Sequence, residues 1–214
     1  MNKVFIFCGV LVVLTVLFYW SKTGSLILAI AGGLFLAVTA FFFAAVAGYI
    51  AGVVGSSNSP VSGMTIATLL FTVVLVLLIG DGLLNLDTST LMLATVLIAS
   101  IVASSAAIAG DVMQDLKTGH MVGATPRIQQ IAEIIGVITG ALVIGPTLKL
   151  LHNAFGITQT ACLEQAKIEF RDCDKALLAP QAELIGEIVK GAFVGDVNLQ
   201  MILLGVVIAI VLIR

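Results

Sequence analysis

The stretch GSSNSPVSG, Gly55 to Gly63, decides how the chain is read. It sets the hydrogen-bonding side chains of Ser56, Ser57, Asn58, Ser59 and Ser62 between two glycines, with Pro60 among them, and it carries no charge. Polar residues and breakers between two apolar runs ordinarily mark a surface loop. Surface loops use Asp, Glu, Lys and Arg freely, yet none of these occurs anywhere from Thr23 to Gly80. A chain that avoids charge even in its turns is avoiding a solvent in which charge is costly.

Composition supports that reading. Apolar residues make up 60% of the chain and charged residues 10%, against roughly a quarter charged in a soluble domain. A membrane span needs about 20 apolar residues in succession. Candidate spans are Val4–Trp20, Leu26–Val54, Met64–Gly80, Thr90–Ala109, Ile131–Leu151 and a short final run, Met201–Ile213. The expected fold is therefore all-α: a polytopic membrane protein of about six transmembrane helices, including a broken or re-entrant segment near Gly55–Gly63. The expected organisation is a membrane region over 1–151 with about five spans, a polar segment with amphipathic helices over 152–196, and a truncated final span over 197–214. Tyr19 and Trp20 close the first run as interfacial anchors. Ser21–Ser25 shows no A-x-A cleavage pattern, so that run reads as a retained helix and not a removed signal.

Orientation follows from the bases. Six spans would put Lys3, the segment 110–130 and Arg214 on one side, with Lys22, the turn Asp81–Ser89 and the long segment 152–196 on the other. Lys117 and Arg127 lie near span ends, where the positive-inside bias counts most. Their side is expected in the cytoplasm, with the chain a multi-pass protein of the cell (inner) membrane. Lys22 and Lys149 point the other way.

The charge-free run from Thr23 to Gly80 is too long for two simple spans of about 20 residues and too short for three. The excess centres on GYIAGVVGSSNSPVSG, Gly48–Gly63. Irregular backbone at membrane depth is tolerated only where protein or a water-filled cavity covers it, and broken helices of this kind form the cargo sites of secondary transporters. Pro60 removes a backbone donor and biases Ser59 away from helix. Ser56, Ser57, Asn58, Ser59, Pro60 and Ser62 are the candidate cargo-binding residues. The alternative is a short interfacial loop capped by Ser and Asn, with Gly48-x-x-x-Gly52 packing helices closely.

Three stretches carry a resemblance. AGYIAGVVGSSNSPVSGMTI (Ala47–Ile66), QDLKTGHMVGATPRIQQIAEIIG (Gln114–Gly136) and APQAELIGEIVKGAF (Ala179–Phe193) resemble, in order, signature stretches of the oligopeptide transporter family, in its bacterial and yellow-stripe-like branch. Where that family commonly continues with a Leu-Pro-Trp-like start to the next helix, this chain reads DVNLQ, Asp196–Gln200. The resemblance implies a proton-coupled importer of small peptides or metal–chelate complexes. It also implies a portion of a longer transporter, whose remaining spans a second chain could supply. On that basis residues 1–214 alone are expected to transport nothing.

Charged residues beside the spans are candidates for coupling or gating. Asp111 and Asp115 stand four apart on one helix face and would repel slightly. They serve as a proton relay or simply as a solvated helix end. Glu133 reads as a favourable anion in the first turns after Thr125–Pro126, with a coupling carboxylate as the alternative. Lys117 and Arg127 complete this set, in a segment, Gly110–Arg127, expected to form a gating or coupling loop. IGDG, Ile79–Gly82, approaches the intramembrane aspartyl protease pattern but has Leu78 where its first glycine belongs, so no enzyme is expected. His120 and His152 fall on opposite expected sides and Cys8 lies in a span. No metal site, cofactor or nucleic-acid partner is therefore expected; the partners are the lipid bilayer, the cargo and protons. Cys162 and Cys173, on one helix, would lie about 16 Å apart and could not bridge; a hairpin would let them pair. Ala161–Leu177 reads as an exposed helix. A channel is disfavoured by the lack of a charged ring or filter motif. The rival from another class is a non-transporting structural or interaction subunit.

Overall fold

A computed structural model of the chain describes residues 2–157, 177–195 and 199–213. The protein is an all-α polytopic membrane protein. Helix α1, Asn2–Thr23, ends at Gly24, and Ser25 caps α2, Leu26–Val54, its hydroxyl accepting from the Leu28 N–H at 3.4 Å. A single 3-10 turn, Ser56–Asn58, leads to α3, Val61–Val76, which runs on through a π turn, Leu77–Asp81. Then come α4, Thr88–Val122, α5, Pro126–Phe155, α6, Pro180–Val194, and α7, Leu199–Ile213. Five of these, α1, α2, α3 with its π turn, α4 and α5, are long and apolar enough to cross a membrane.

Helices α2 and α4 form the spine. The buried positions of α2 include Leu28, Gly32, Leu36, Ala47 and Ala51, and those of α4 include Leu91, Thr95, Ile98, Val102, Ala106 and Gly110. Within each set the spacings are three, four or, from Leu36 to Ala47, eleven residues, all of which place side chains on one helix face. Small residues in these stripes let backbones approach, the usual way membrane helices gain packing without a hydrophobic drive. A methyl group on Gly32 would meet the Tyr19 ring at 3.0 Å and Ile98 at 3.1 Å. Two packed clusters mark the two ends of the bundle. Tyr19, Leu28, Val76 and Leu91 gather near the turns at Gly24 and Asp81–Asp87, whereas Ala47, Met64 and Ala106 gather near the break.

Helix α3 buries a row of hydroxyls. Thr65, Thr68 and Thr72 donate to the carbonyls of Val61, Met64 and Thr68 at 2.7, 2.8 and 2.7 Å, and Thr95 of α4 donates to Leu91 at 2.9 Å. Each hydroxyl is satisfied within its own helix, which lets it sit in an apolar core without a partner elsewhere.

Three placements differ from the reading of the sequence. The segment expected as a gating or coupling loop is helical up to Val122; Gly110 and Gly119 do not stop α4, because glycine inside a helix costs only about 1 kcal/mol, and the helix ends where Gly123 adopts φ +75°. The charge-free excess is taken up chiefly by α2, whose 29 residues make about 43 Å of helix, so the break itself is short. Helix α6, at the end of the 152–196 segment, joins the bundle through its apolar face. Val189 is buried against Leu69 and Ala99, with Ile185 and Ile188 packed beside them. The helix expected over Ala161–Leu177, and any pairing of Cys162 with Cys173, fall almost wholly outside the described residues. On either side of that region, Leu177 N–H donates to Gly156 O at 3.0 Å.

Candidate functional site

The break is built by backbone geometry. The N–H of Gly55 closes α2 on Ala51 O at 3.0 Å, and φ +104° at Gly55, open to glycine and costly for other residues, takes the chain out of the helix. The turn then holds itself through Asn58 N–H to Gly55 O at 3.3 Å and Ser59 N–H to Ser56 O at 3.1 Å. Pro60, lacking an N–H, caps α3, and its carbonyl accepts from Met64 N–H at 3.0 Å. Ser57, Asn58, Pro60 and Ser62 are exposed, while Ser56 and Ser59 are half-buried.

Two bonds from distant parts of the chain reach this turn. Gln114 of α4 accepts the Ser56 N–H on its Oε1 at 2.7 Å. Gln181, in the first turn of α6, donates from Nε2 to Ser62 Oγ at 3.3 Å. The stretches around residues 47–66, 114–136 and 179–193 thus meet at one place. Ser59 Oγ is buried with no hydrogen-bond partner, and Gly110 lies beneath it: a methyl group there would stand 4.0 Å from that hydroxyl and 3.8 Å from Ala51 Cβ.

The helix that follows the turn is of membrane-crossing length. Val61 to Asp81 is 21 residues, about 31 Å of helix against a core of about 30 Å. A bilayer matched to that length would place Asp81 and Asp87 at one boundary and Gly55–Pro60 at the other. The end of α4 that carries Asp111, Asp115 and Lys117 would project past that second boundary.

A second polar cluster sits beside the first. Asp115, Thr118 and Gly119 of α4 and Gln129 and Glu133 of α5 line a cavity of about 280 Å³. Gln129 Nε2 donates to the main-chain carbonyl of Asp115 at 3.1 Å. Gln129 Oε1 and Glu133 Oε1 are buried without partners. Gly119 makes room here, because a methyl group on it would collide with the Gln129 amide. Lys117 lies on another side of α4, where it lines a cavity of about 420 Å³ with Gly48, Tyr49, Met113 and His120. Among the described residues the one ion pair is Lys190 with Glu187 at 4.0 Å, so Asp111, Asp115, Lys117, Arg127 and Glu133 form none with one another. Asp115 and Glu133 are brought to one cavity; Asp111, Lys117 and Arg127 are not. No group of three His, Cys, Asp or Glu among the described residues is placed to hold a metal ion.

The residues that tie the site together are neutral amides that charge-seeking reasoning passed over: Gln114, Gln129 and Gln181. Their signal was their position inside the stretches that carry the family resemblance, each within one turn of a residue already singled out or at a helix start.

Membrane-length helices, packed on small residues and joined by amide side chains around an uncharged break, define a polytopic membrane protein with a polar site at one end of its bundle. A profile of the family described as "OPT oligopeptide transporter protein" matches residues 2–214. The chain belongs to the OPT oligopeptide transporter family. It is 43% identical over 168 residues to a Haemophilus influenzae protein named for oligopeptide transport, a match covering 77% of this chain and 26% of that protein. It is 41% identical over 66 residues to the metal-nicotianamine transporter YSL2 of Arabidopsis thaliana, covering 31% of this chain and 9% of that one. A Saccharomyces cerevisiae protein, also named for oligopeptide transport, is 42% identical over 62 residues, 29% of this chain and 8% of its own length. The chain thus spans about a quarter of the length of the bacterial relative. No solved structure matches it.

Proposed function

We propose that the chain forms part of a secondary active, proton-coupled importer of small peptides or metal–chelate complexes in the cell (inner) membrane, working with the remaining spans of a complete transporter. Ser56, Ser57, Asn58, Ser59, Pro60 and Ser62 line the cargo path at one mouth. Asp111, Asp115, Lys117, Arg127 and Glu133 serve coupling and gating. The observation that carries this reading is the convergence of three distant stretches on an uncharged helix break, through Ser56 with Gln114 and Ser62 with Gln181. Neutral donors and acceptors suit cargo recognition near hydrocarbon, where a fixed charge costs several kcal/mol, and broken helices present free amides and carbonyls to cargo. The cargo classes follow from the names of the relatives.

The experiment is uptake by the complete protein in proteoliposomes, with trialanine and zinc–nicotianamine as probes. Uptake of either that rises with an inward proton gradient supports the proposal. Uptake of a probe with no response to the gradient removes the coupling. No uptake and no cargo-dependent proton flux would favour a structural or interaction subunit.

A further inference from the structure

We infer that Gln114 is a positioning residue for the broken segment: its amide carbonyl fixes the turn that presents Ser57 and Asn58. The inference rests on the reading of Gly55–Gly63 as the cargo-lining segment.

The Ser56 N–H is the first donor after the chain leaves α2. With Gly55 at φ +104° and ψ 155° it has no helical acceptor behind it, the ordinary condition of a donor at a helix start. Gln114 Oε1 accepts it at 2.7 Å across 58 positions of sequence. The placement of Gln114 follows from its own face of α4. Ala106, Gly110 and Gln114 stand at four-residue intervals, one above the other. Ala106 is fully buried against Ala47 and Met64. Gly110 passes under Ala51 and Ser59. Two small residues bring α4 close to the end of α2, and the next residue on that face reaches across to the backbone.

The charged neighbours do not share this task. Asp115 meets α5 through its main-chain carbonyl, and Lys117 lies on another side of α4. Without Gln114, Ser56 N–H loses its acceptor, and the start of the turn is held by its local bonds, Asn58 N–H to Gly55 O at 3.3 Å and Ser59 N–H to Ser56 O at 3.1 Å, with Gln181 reaching only Ser62 further on. What the position needs is an acceptor oxygen at glutamine's reach. Glutamate supplies one; leucine does not.

The test uses the complete protein in membrane vesicles, with native Cys8, Cys162 and Cys173 replaced and Ser57→Cys as a reporter of the turn. In the Gln114→Leu background, maleimide labelling of that cysteine should quicken about fivefold or more, and Gln114→Glu should return it to near the parent rate, in line with loss and recovery of one hydrogen bond. Equal labelling in Gln114→Leu and the parent overturns the inference, as does a Gln114→Glu rate as fast as that of Gln114→Leu. Uptake of trialanine and zinc–nicotianamine, measured in parallel without the reporter cysteine, separates the two ideas. A raised KM at near-normal maximal rate in Gln114→Leu, relieved in Gln114→Glu, is the signature of lost cargo binding. Altered labelling with unaltered KM would uphold Gln114 as the positioner and overturn the cargo reading of the turn.

Discussion

At Ser57 and Asn58 the turn offers side chains that the fold itself barely uses. Both are exposed; Asn58 Nδ2 reaches Val54 O only at 3.4 Å, and no hydrogen bond holds the Ser57 side chain among the described residues. Removing either should therefore cost the fold less than about 1 kcal/mol. Asn58→Ala and Ser57→Ala are expected to express and fold normally and to lower uptake by about tenfold or more, the loss of roughly 1.4 kcal/mol of binding; uptake at the wild-type rate in both would remove them from the cargo path. Gly119 carries a different prediction. A methyl group there must displace the Gln129 amide, which can swing away because it is the end of a flexible side chain, at the cost of its bond to Asp115 O. Gln129→Ala should lower stability in detergent by about 1 kcal/mol; Gly119→Ala loses the same contact but regains up to about 1 kcal/mol of helix propensity, so adding it to Gln129→Ala should cost nothing more. Fully additive losses would show that the two residues do not act as a unit. The residues of the break were legible in the sequence because charge avoidance singled them out. Gln114 was not: an amide that accepts one backbone N–H leaves no mark in composition, and only the packing of Ala106 and Gly110 reveals what lies within its reach.

Among the elements, α3 shows how polarity is carried inside an apolar bundle. Thr68 is fully buried, and its hydroxyl bonds the Met64 carbonyl of its own helix. Thr68→Val keeps nearly the same volume and removes a hydroxyl that no neighbouring helix uses, so it should shift stability by less than about 1 kcal/mol. Thr68→Leu adds volume where no space is left and should cost about 1–3 kcal/mol. Thermal unfolding in detergent distinguishes them, and a large loss in the valine variant would mean that the hydroxyl serves another helix. The spans were legible at this scale because length and apolarity alone define them. Their ends were less so. Helix α4 continues to Val122 through Asp111, Asp115 and Lys117, because nothing in that stretch breaks a helix; its polarity reports that it leaves the hydrocarbon, not that it unwinds. Helix α6 looked extramembrane for the same reason. Its charged face is real, yet Ile185, Ile188 and Val189 form an opposite face that packs into the bundle, and the ion pair of Glu187 with Lys190 stays on the exposed side.

For the molecule as a whole, the bonds at the break fix which segments share one end of the bundle. Because Gln114 bonds Ser56 and Gln181 bonds Ser62, the break, the end of α4 and the start of α6 share one end. This differs from the alternation read from the sequence, which set the 152–196 segment opposite residues 110–130; Gln181 places the start of α6 at the break. The end with the break carries Lys117 and Arg127, while the other carries Lys22 beside Asp81 and Asp87, and Lys190 lines a cavity with Met92 near the start of α4. Lysine and arginine near span ends favour the cytoplasmic side, and acidic residues contribute little. If Lys117 and Arg127 are cytoplasmic, as the sequence reading expects, the break opens toward the cytoplasm, which for the proposed importer makes it the release mouth. With Cys8, Cys162 and Cys173 replaced, a cysteine at Thr118, on the projecting end of α4, should resist a membrane-impermeant maleimide in intact cells. One at Leu83, which is 74% exposed in the opposite turn, should react. Permeabilised cells should label both, which shows that each site is accessible in itself. Labelling of Thr118→Cys but not Leu83→Cys in intact cells would invert the molecule, and the uncharged turn would then meet cargo on its way in.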